Sequence, residues 1–261
     1  MTITDSFKNI IRLFTPPIFG VLKKKLMSQN KYQKYQPFDC IYVNPEKIST
    51  LFDIGANQGD VSIKAYKAFP NAKIYSFEPV STTFATLEKN TRQYRDRILL
   101  SQLGFFTESK KIPIHITSFD GANSIIDQSR DHKKVHSHLD LKEIGEEIIE
   151  VRTLDSFVES HQIDKIDIMK IDVEGVEKEV LLGGIETLKK KVDIILIELS
   201  FLRKNRESPY WIEICQLLYN LGFELITIYD VAKYVEDGQE YIAQMDAVFR
   251  KQGKKFSLEN I

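Results

Sequence analysis

The chain has 261 residues, 43% hydrophobic and 11% aromatic, enough apolar surface for a core of domain size and too much for a disordered chain. Thirty-six Lys and Arg against 37 Asp and Glu leave a formal charge of −1, so there is no global basic excess to hold a nucleic-acid backbone. Two cysteines, Cys40 and Cys215, have no metal-ligand spacing, which excludes a disulfide scaffold and a zinc ribbon and suits a reducing, cytoplasmic compartment.

The charge is unevenly spread. Residues 1–36 carry seven basic side chains against one acid, Asp5, a net of +6 that leaves −7 for the rest. The apolar stretch from Ile10 to Leu22 is broken by Arg12, Pro16 and Pro17, too short and interrupted to span a bilayer. Lys23-Lys24-Lys25 follows it directly, with no small-residue cleavage site. The segment suits a basic anchor resting on the inner face of a membrane, or a lead-in helix with its lysines in water. The second is simpler, because charge runs are usually solvated faces. Oligomeric state leaves no trace in the sequence. Residues 1–47 are taken as a basic lead segment, 48–250 as one domain, and 251–261 as a tail, frayed over Lys251–Lys255.

From residue 48 onward strands and helices alternate. Ser49–Ile54 is a short apolar run closed by glycine, a buried strand; residues 60–69 have helical apolar spacing and stop at Pro70-Asn71. Ala72–Phe77 is a second strand, residues 81–92 a helix with Phe84, Leu87 and Thr91 on one face, and Ile98–Leu103 a third strand. Strand-like pieces near 111–116 and 148–153 flank a stretch, 117–147, that holds Gly121, Ser124, His132, His136 and His138 and reads as a lid or an excursion. Lys165–Ile171 is a strand, residues 176–190 a helix, and Val192–Glu198 a near-continuous apolar strand of the kind a covered parallel sheet needs. A helix near 209–220 precedes strands near 223–229 and 241–249, which have no helix between them and should pair antiparallel. The pattern predicts an α/β doubly wound, mostly parallel sheet with a C-terminal antiparallel strand.

The sharpest chemical signal is Leu51-Phe-Asp-Ile-Gly-Ala-Asn-Gln-Gly59. A buried strand ends near Asp53, turns through Gly55 and Asn57, and enters a helix at Gly59, whose first amides should be open to a ligand. Twenty-five positions on, Glu78 ends the next strand, so both carboxylates should lie at the carboxyl edge of neighbouring strands, where open α/β sheets bind ligands. An acid at the second position suits the two hydroxyls of a ribose. A dinucleotide site wants Gly-x-Gly-x-x-Gly around a pyrophosphate. Here Ala56-Asn57 removes the second glycine, and Asp53 would set a negative charge near the phosphates. S-adenosylmethionine has no phosphate and carries an ammonium and a sulfonium, so charge favours it over NAD.

The second signal is Asp167-Ile-Met-Lys-Ile-Asp-Val-Glu-Gly175, in which Asp172 and Glu174 emerge at a strand end beside Lys170. Two carboxylates this close are costly to bury unless paired. Glu174 is equally suited to starting the following helix, where an acid in the first turn is favourable. Glu198 ends the next strand with the same ambiguity.

These pieces resemble the FkbM-type S-adenosylmethionine-dependent methyltransferases. The matching segments are FDIGANQG at 52–59, SFEP at 76–79, RTLDSF at 152–157, MKIDVEGVEKEVLLGG at 169–184, ILIELS at 195–200 and QMDAVF at 244–249. Leu103-Gly104-Phe105 departs from the small residue plus acid expected after the third strand. The resemblance implies a class I methyltransferase (Rossmann-like) fold and transfer of a methyl group to a hydroxyl, on a saccharide or a related natural-product acceptor. It implies that Asp53, Gly55, Asn57 and Gly59 line the methionine end of the cofactor, that Glu78 holds its ribose, and that Asp172 and Glu174 lie at the reacting end. A hydroxyl is a poor nucleophile, so Asp172, Glu174 or a histidine of the 132–138 stretch would take its proton. His132 and His136 would share a face if that stretch is helical, which permits a metal, though exposed loop histidines are commonly unengaged and none is expected. An NAD-dependent oxidoreductase on the same sheet, a non-catalytic cofactor-binding domain, and a membrane-recruited scaffold are the alternatives.

Overall fold

The computed structural model describes residues 38–117, 143–201 and 211–253. The chain divides into two compact units, Met1–Tyr35 and Gln36–Ile261. The lead segment before residue 38 and the stretch holding His132, His136 and His138 lie outside the described residues.

The larger unit begins upstream of residue 48, because the stretch before it carries its own apolar anchors. Phe38 packs edge-on against Phe69 at 5.1 Å, and Ile41 and Ile48 are buried. Thr50–Ile54 (β1), Lys73–Phe77 (β2) and Ile98–Ser101 (β3) alternate with helices Asp60–Ala68 (α1) and Ser81–Asn90 (α2). Gly104–Phe105 (β4), Lys110–Thr117 (β5) and Glu143–Arg152 (β6) follow, then Leu154–Ser160 (α3) and Ile166–Ile171 (β7). Glu177–Leu182 (α4), Ile185–Lys190 (α5), Val192–Ser200 (β8), Trp211–Asn220 (α6), Phe223–Glu236 (β9) and Gln239–Lys251 (β10) complete the described chain.

Seven strands form one sheet in the order β3-β2-β1-β7-β8-β10-β9. β3, β2, β1, β7 and β8 run parallel, and β10 is antiparallel to both of its neighbours. This is the doubly wound, mostly parallel sheet that the alternation predicted, with its order reversing between β1 and β7. Alternate residues of the central strands divide between two faces, as the period of a strand requires. Phe52, Met169 and Ile195 face α3 to α6, while Leu51, Ile168 and Ile194 face α1 and the Ile41 segment.

Three features differ from the sequence expectation. The third strand ends at Ser101, short of the expected Leu103, and Gly104–Phe105 pairs with β6 in a second, three-stranded sheet, β4-β6-β5. The helix expected over 176–190 is two short helices that meet at Gly183-Gly184, where a Cβ at Gly183 would lie 2.1 Å from the Phe106 carbonyl oxygen and one at Gly184 2.5 Å from Leu154 Cδ2. Lys251 is no frayed tail residue, since its ammonium donates to the carbonyls of Leu188 at 3.2 Å and Leu221 at 2.5 Å.

Candidate functional site

The turn after β1 is left-handed at three positions, Gly55 (φ +78°), Asn57 (φ +47°) and Gly59 (φ +94°). Glycine is needed at the first of them for two reasons. The left-handed region penalises a Cβ, and a Cβ there would lie 1.8 Å from the Asp172 carbonyl oxygen. The turn after β1 therefore packs directly against the turn after β7.

Its amides are engaged inside the protein. The N–H groups of Gly55 and Ala56 both donate to the Phe77 carbonyl, at 3.0 and 2.9 Å, and Gly59 N–H donates to the Ala56 carbonyl at 2.8 Å. Asn57 N–H donates to Glu78 Oε2 at 3.1 Å, and Val80 N–H donates to Glu78 Oε1 at 3.0 Å. Glu78, only 7% exposed, thus ties the glycine turn to the end of β2. Open amides remain for the first turn of α1, which has no intrahelical acceptors by construction.

Asp53 is placed differently from the expectation. It is fully buried and belongs to a polar chain under the turn. The Ser62 hydroxyl donates to its Oδ2 at 2.6 Å and lies 2.7 Å from the Ser76 hydroxyl. Its Oδ1 has no hydrogen-bond partner among the described residues and faces Lys170 Nζ at 3.7 Å. The cause is register. Asp53 is the strand partner of Ser76 on one side and of Lys170 on the other, so the three side chains share one face. The Asp53 charge is therefore matched by Lys170 from the neighbouring strand.

Lys170 is the hub of this chain. Its ammonium is 3.1 Å from Asp172 Oδ2 and its side chain is 12% exposed. Burial on its own would lower its pKa, but Asp172, Asp53 and Asp246 around it reverse the sign and hold it above the ordinary lysine range.

Asp172 itself is 35% exposed at the mouth, while Glu174 is half-buried with φ +54°. Glu174 lies outside α4, whose first residue is Glu177, so it does not start that helix. The buried Glu177 holds the loop instead, its Oε1 accepting from Gly175 N–H at 2.9 Å.

Extending each strand by two residues past the Ser76, Asp53, Lys170 and Leu196 line brings Glu78, Gly55, Asp172 and Glu198 to one level at the carboxyl edge. Asp246 on β10 joins that level as the strand partner of Glu198. Glu198 Oε1 accepts from the Gln244 side-chain amide at 2.7 Å. Asp246 lies in the QMDAVF segment, but that segment by itself does not show that its carboxylate reaches the same level as Asp172 and Glu198. Only the antiparallel return of β10 carries it to the edge. Burial, then the negative Asp172 and Asp230, push its pKa up to about 7 against the opposing pull of Lys170. No group of three or more His, Cys, Asp or Glu among the described residues is arranged to hold a metal ion.

A family model for the methyltransferase FkbM domain matches residues 53–225, from the end of β1 into β9. The 2-O-methyltransferase NoeI of Sinorhizobium fredii is 28% identical over 144 residues, 54% of this chain and 59% of that protein. The hexuronic acid methyltransferase AglP of Haloferax volcanii is 29% identical over 154 residues, 59% of this chain and 57% of that protein. Methyltransferase 1 of Beauveria bassiana is 24% identical over 160 residues, 58% of this chain and 64% of that protein. The chain thus spans about three-fifths of the length of these relatives. The match runs through the β1 turn, Glu78 and the Lys170–Asp172–Glu174 segment alike, and the chain belongs to the FkbM methyltransferase domain family.

Proposed function

We propose that this chain is an S-adenosylmethionine-dependent methyltransferase that methylates a hydroxyl of a saccharide or a related natural-product acceptor. The observation that carries it is the Glu78 brace, in which one buried carboxylate fixes the glycine turn and stands at the end of β2. The residues fit that cofactor. Each carboxylate oxygen of Glu78 accepts a backbone N–H, and a carboxylate oxygen can accept a second hydrogen bond, here from a ribose hydroxyl. Gly55, Asn57 and Gly59 offer a close backbone surface to the methionine end. Asp53 acts from beneath, by setting Lys170. When bound, S-adenosylmethionine supplies a methyl group on a sulfonium that leaves readily.

What remains for the protein is alignment and the exclusion of water. Asp172, its Oδ2 paired with Lys170, accepts a hydrogen bond from the acceptor hydroxyl, and Glu174 at the rim contacts the acceptor's neighbouring hydroxyls. The saccharide class is supported by the names of two relatives, a 2-O-methyltransferase and a hexuronic acid methyltransferase. The +6 charge of residues 1–36 supports peripheral contact with the anionic inner face of a membrane, where a lipid-linked acceptor would be met. Among the described residues no helix is long and apolar enough to cross a membrane.

Calorimetry tests the cofactor site. S-adenosylmethionine or its demethylated product binds, and NAD does not compete. Glu78→Ala weakens binding by about 1–3 kcal/mol, the cost of losing hydrogen bonds to a charged group. Unchanged affinity in a folded variant removes the ribose assignment.

A further inference from the structure

Three strands bring charged groups to the edge level beyond Lys170: β7 with Asp172, β8 with Glu198 and β10 with Asp246. Their circumstances differ. Asp172 Oδ2 is taken up by the Lys170 ammonium at 3.1 Å, and Glu198 Oε1 by the Gln244 amide at 2.7 Å. Asp246 is half-buried, close enough to Asp172 and Lys170 for their charges to act on it, and among the described residues no ammonium or amide donates to its oxygens. The groups facing it are Lys170 and Asp172 from β7, Glu198 from β8, Tyr229 and Asp230 from β9, and the Cys40 segment beyond Tyr229.

We propose that Asp246 takes the hydroxyl proton of the methyl acceptor, while Asp172, pinned by Lys170, orients that hydroxyl. The proposal rests on the methyltransferase reading above. The acceptor oxygen forms its bond to the methyl carbon as the carbon–sulfur bond breaks, the bonding pair leaving on sulfur. The O–H pair stays on the oxygen, the proton passes to the Asp246 carboxylate, and the acid later returns it to water. A base for this step works best with a proton affinity near neutrality. Burial, Asp172 and Asp230 bring Asp246 there against the pull of Lys170, with a pKa of about 7. The same balance keeps charge at the mouth nearly constant, because the proton arrives as the sulfonium charge is lost.

Two readouts test this on the full chain. The first needs no acceptor. In protein labelled at the aspartate carboxyl carbons, one aspartate should titrate near pH 7 in the wild type and be missing from Asp246→Asn. Because its folded pKa is raised, Asp246 contributes stability that is full below about pH 4 and is lost as pH rises through 7. The melting temperature of Asp246→Asn relative to wild type should therefore rise between pH 5 and pH 8. A residue serving packing alone would give a difference independent of pH.

The second readout is release of S-adenosylhomocysteine with methyl glucuronoside as the probe acceptor, or with water as the acceptor if the sugar is not used. Asp246→Asn should bind S-adenosylmethionine within about two-fold of wild type but lose about 10²-fold or more in turnover, together with the rising limb near pH 7. Asp246→Glu should keep that limb. Asp246→Asn with wild-type turnover and pH profile, or no aspartate titrating above pH 6, overturns the proposal. A wild type that binds no S-adenosylmethionine overturns the methyltransferase reading instead, and the carboxyl titration still decides whether Asp246 is poised near neutrality.

Discussion

At the scale of single residues, the site is organised by a buried lysine. Lys170 sits between Asp53 on β1 and Asp172 at the mouth, and a charge pair taken out of water is held only while both partners are present. Lys170→Met keeps most of the side-chain volume but leaves Asp53, fully buried, without its counter-charge. That change should cost about 3–5 kcal/mol, the usual penalty for breaking a buried pair from one side. Urea unfolding measures it, and a loss under about 1 kcal/mol would mean that water reaches Asp53. The double change with Asp53→Asn should recover part of the loss, because the stranded charge is then gone.

At the scale of elements, the break between α4 and α5 has a definite cause and use. The Gly183 carbonyl accepts from Asp155 N–H at 3.0 Å, and the Asp155 carboxylate accepts from the N–H groups of Thr187 and Glu186 at 2.7 and 3.2 Å. Asp155 of α3 thus caps the first turn of α5, while Gly183 lets the chain pass close over Phe106. Gly183→Ala improves helix propensity by up to about 1 kcal/mol, yet its methyl would meet the Phe106 carbonyl oxygen at 2.1 Å. The clash with backbone should win, for a net loss of about 1–3 kcal/mol, the range of overpacked sites. Thermal unfolding decides the sign: a stabilised variant would show that the second sheet yields to α4.

At the scale of the whole molecule, the larger compact unit starts at Gln36 and holds the buried cluster that includes Ile41, Leu51 and Ile74. Removing residues 1–35 should leave a single cooperative transition, with affinity for S-adenosylmethionine within about two-fold of the full chain, since burial of apolar area drives stability. Binding to vesicles of anionic lipid should separate the two proteins. At about 1 kcal/mol per basic residue near such a surface, the +6 segment predicts sedimentation of the full chain only, and its loss at high salt. Equal sedimentation of both would remove the membrane role of the segment.

The sequence by itself determined the elements whose periodicity is strong and local. β1, β2, β7 and β8 fall where their apolar runs lie, and the antiparallel return of β10 follows from the missing helix before it. It also determined the glycine turn and Glu78, because a left-handed turn and a strand-end acid have signatures within a few residues. Tertiary structure decided everything that depends on register between strands distant in the chain. Asp53 turns inward because Lys170, 117 positions away, is its strand partner, and no local pattern encodes that pairing. Glu174 leaves the helix because Glu177 holds Gly175, and Asp246 reaches the site because β10 runs back beside Glu198. The physical reason is the same in each case. Local sequence sets which backbone conformation is cheap, whereas the partner of a buried charge is set by which strands lie side by side.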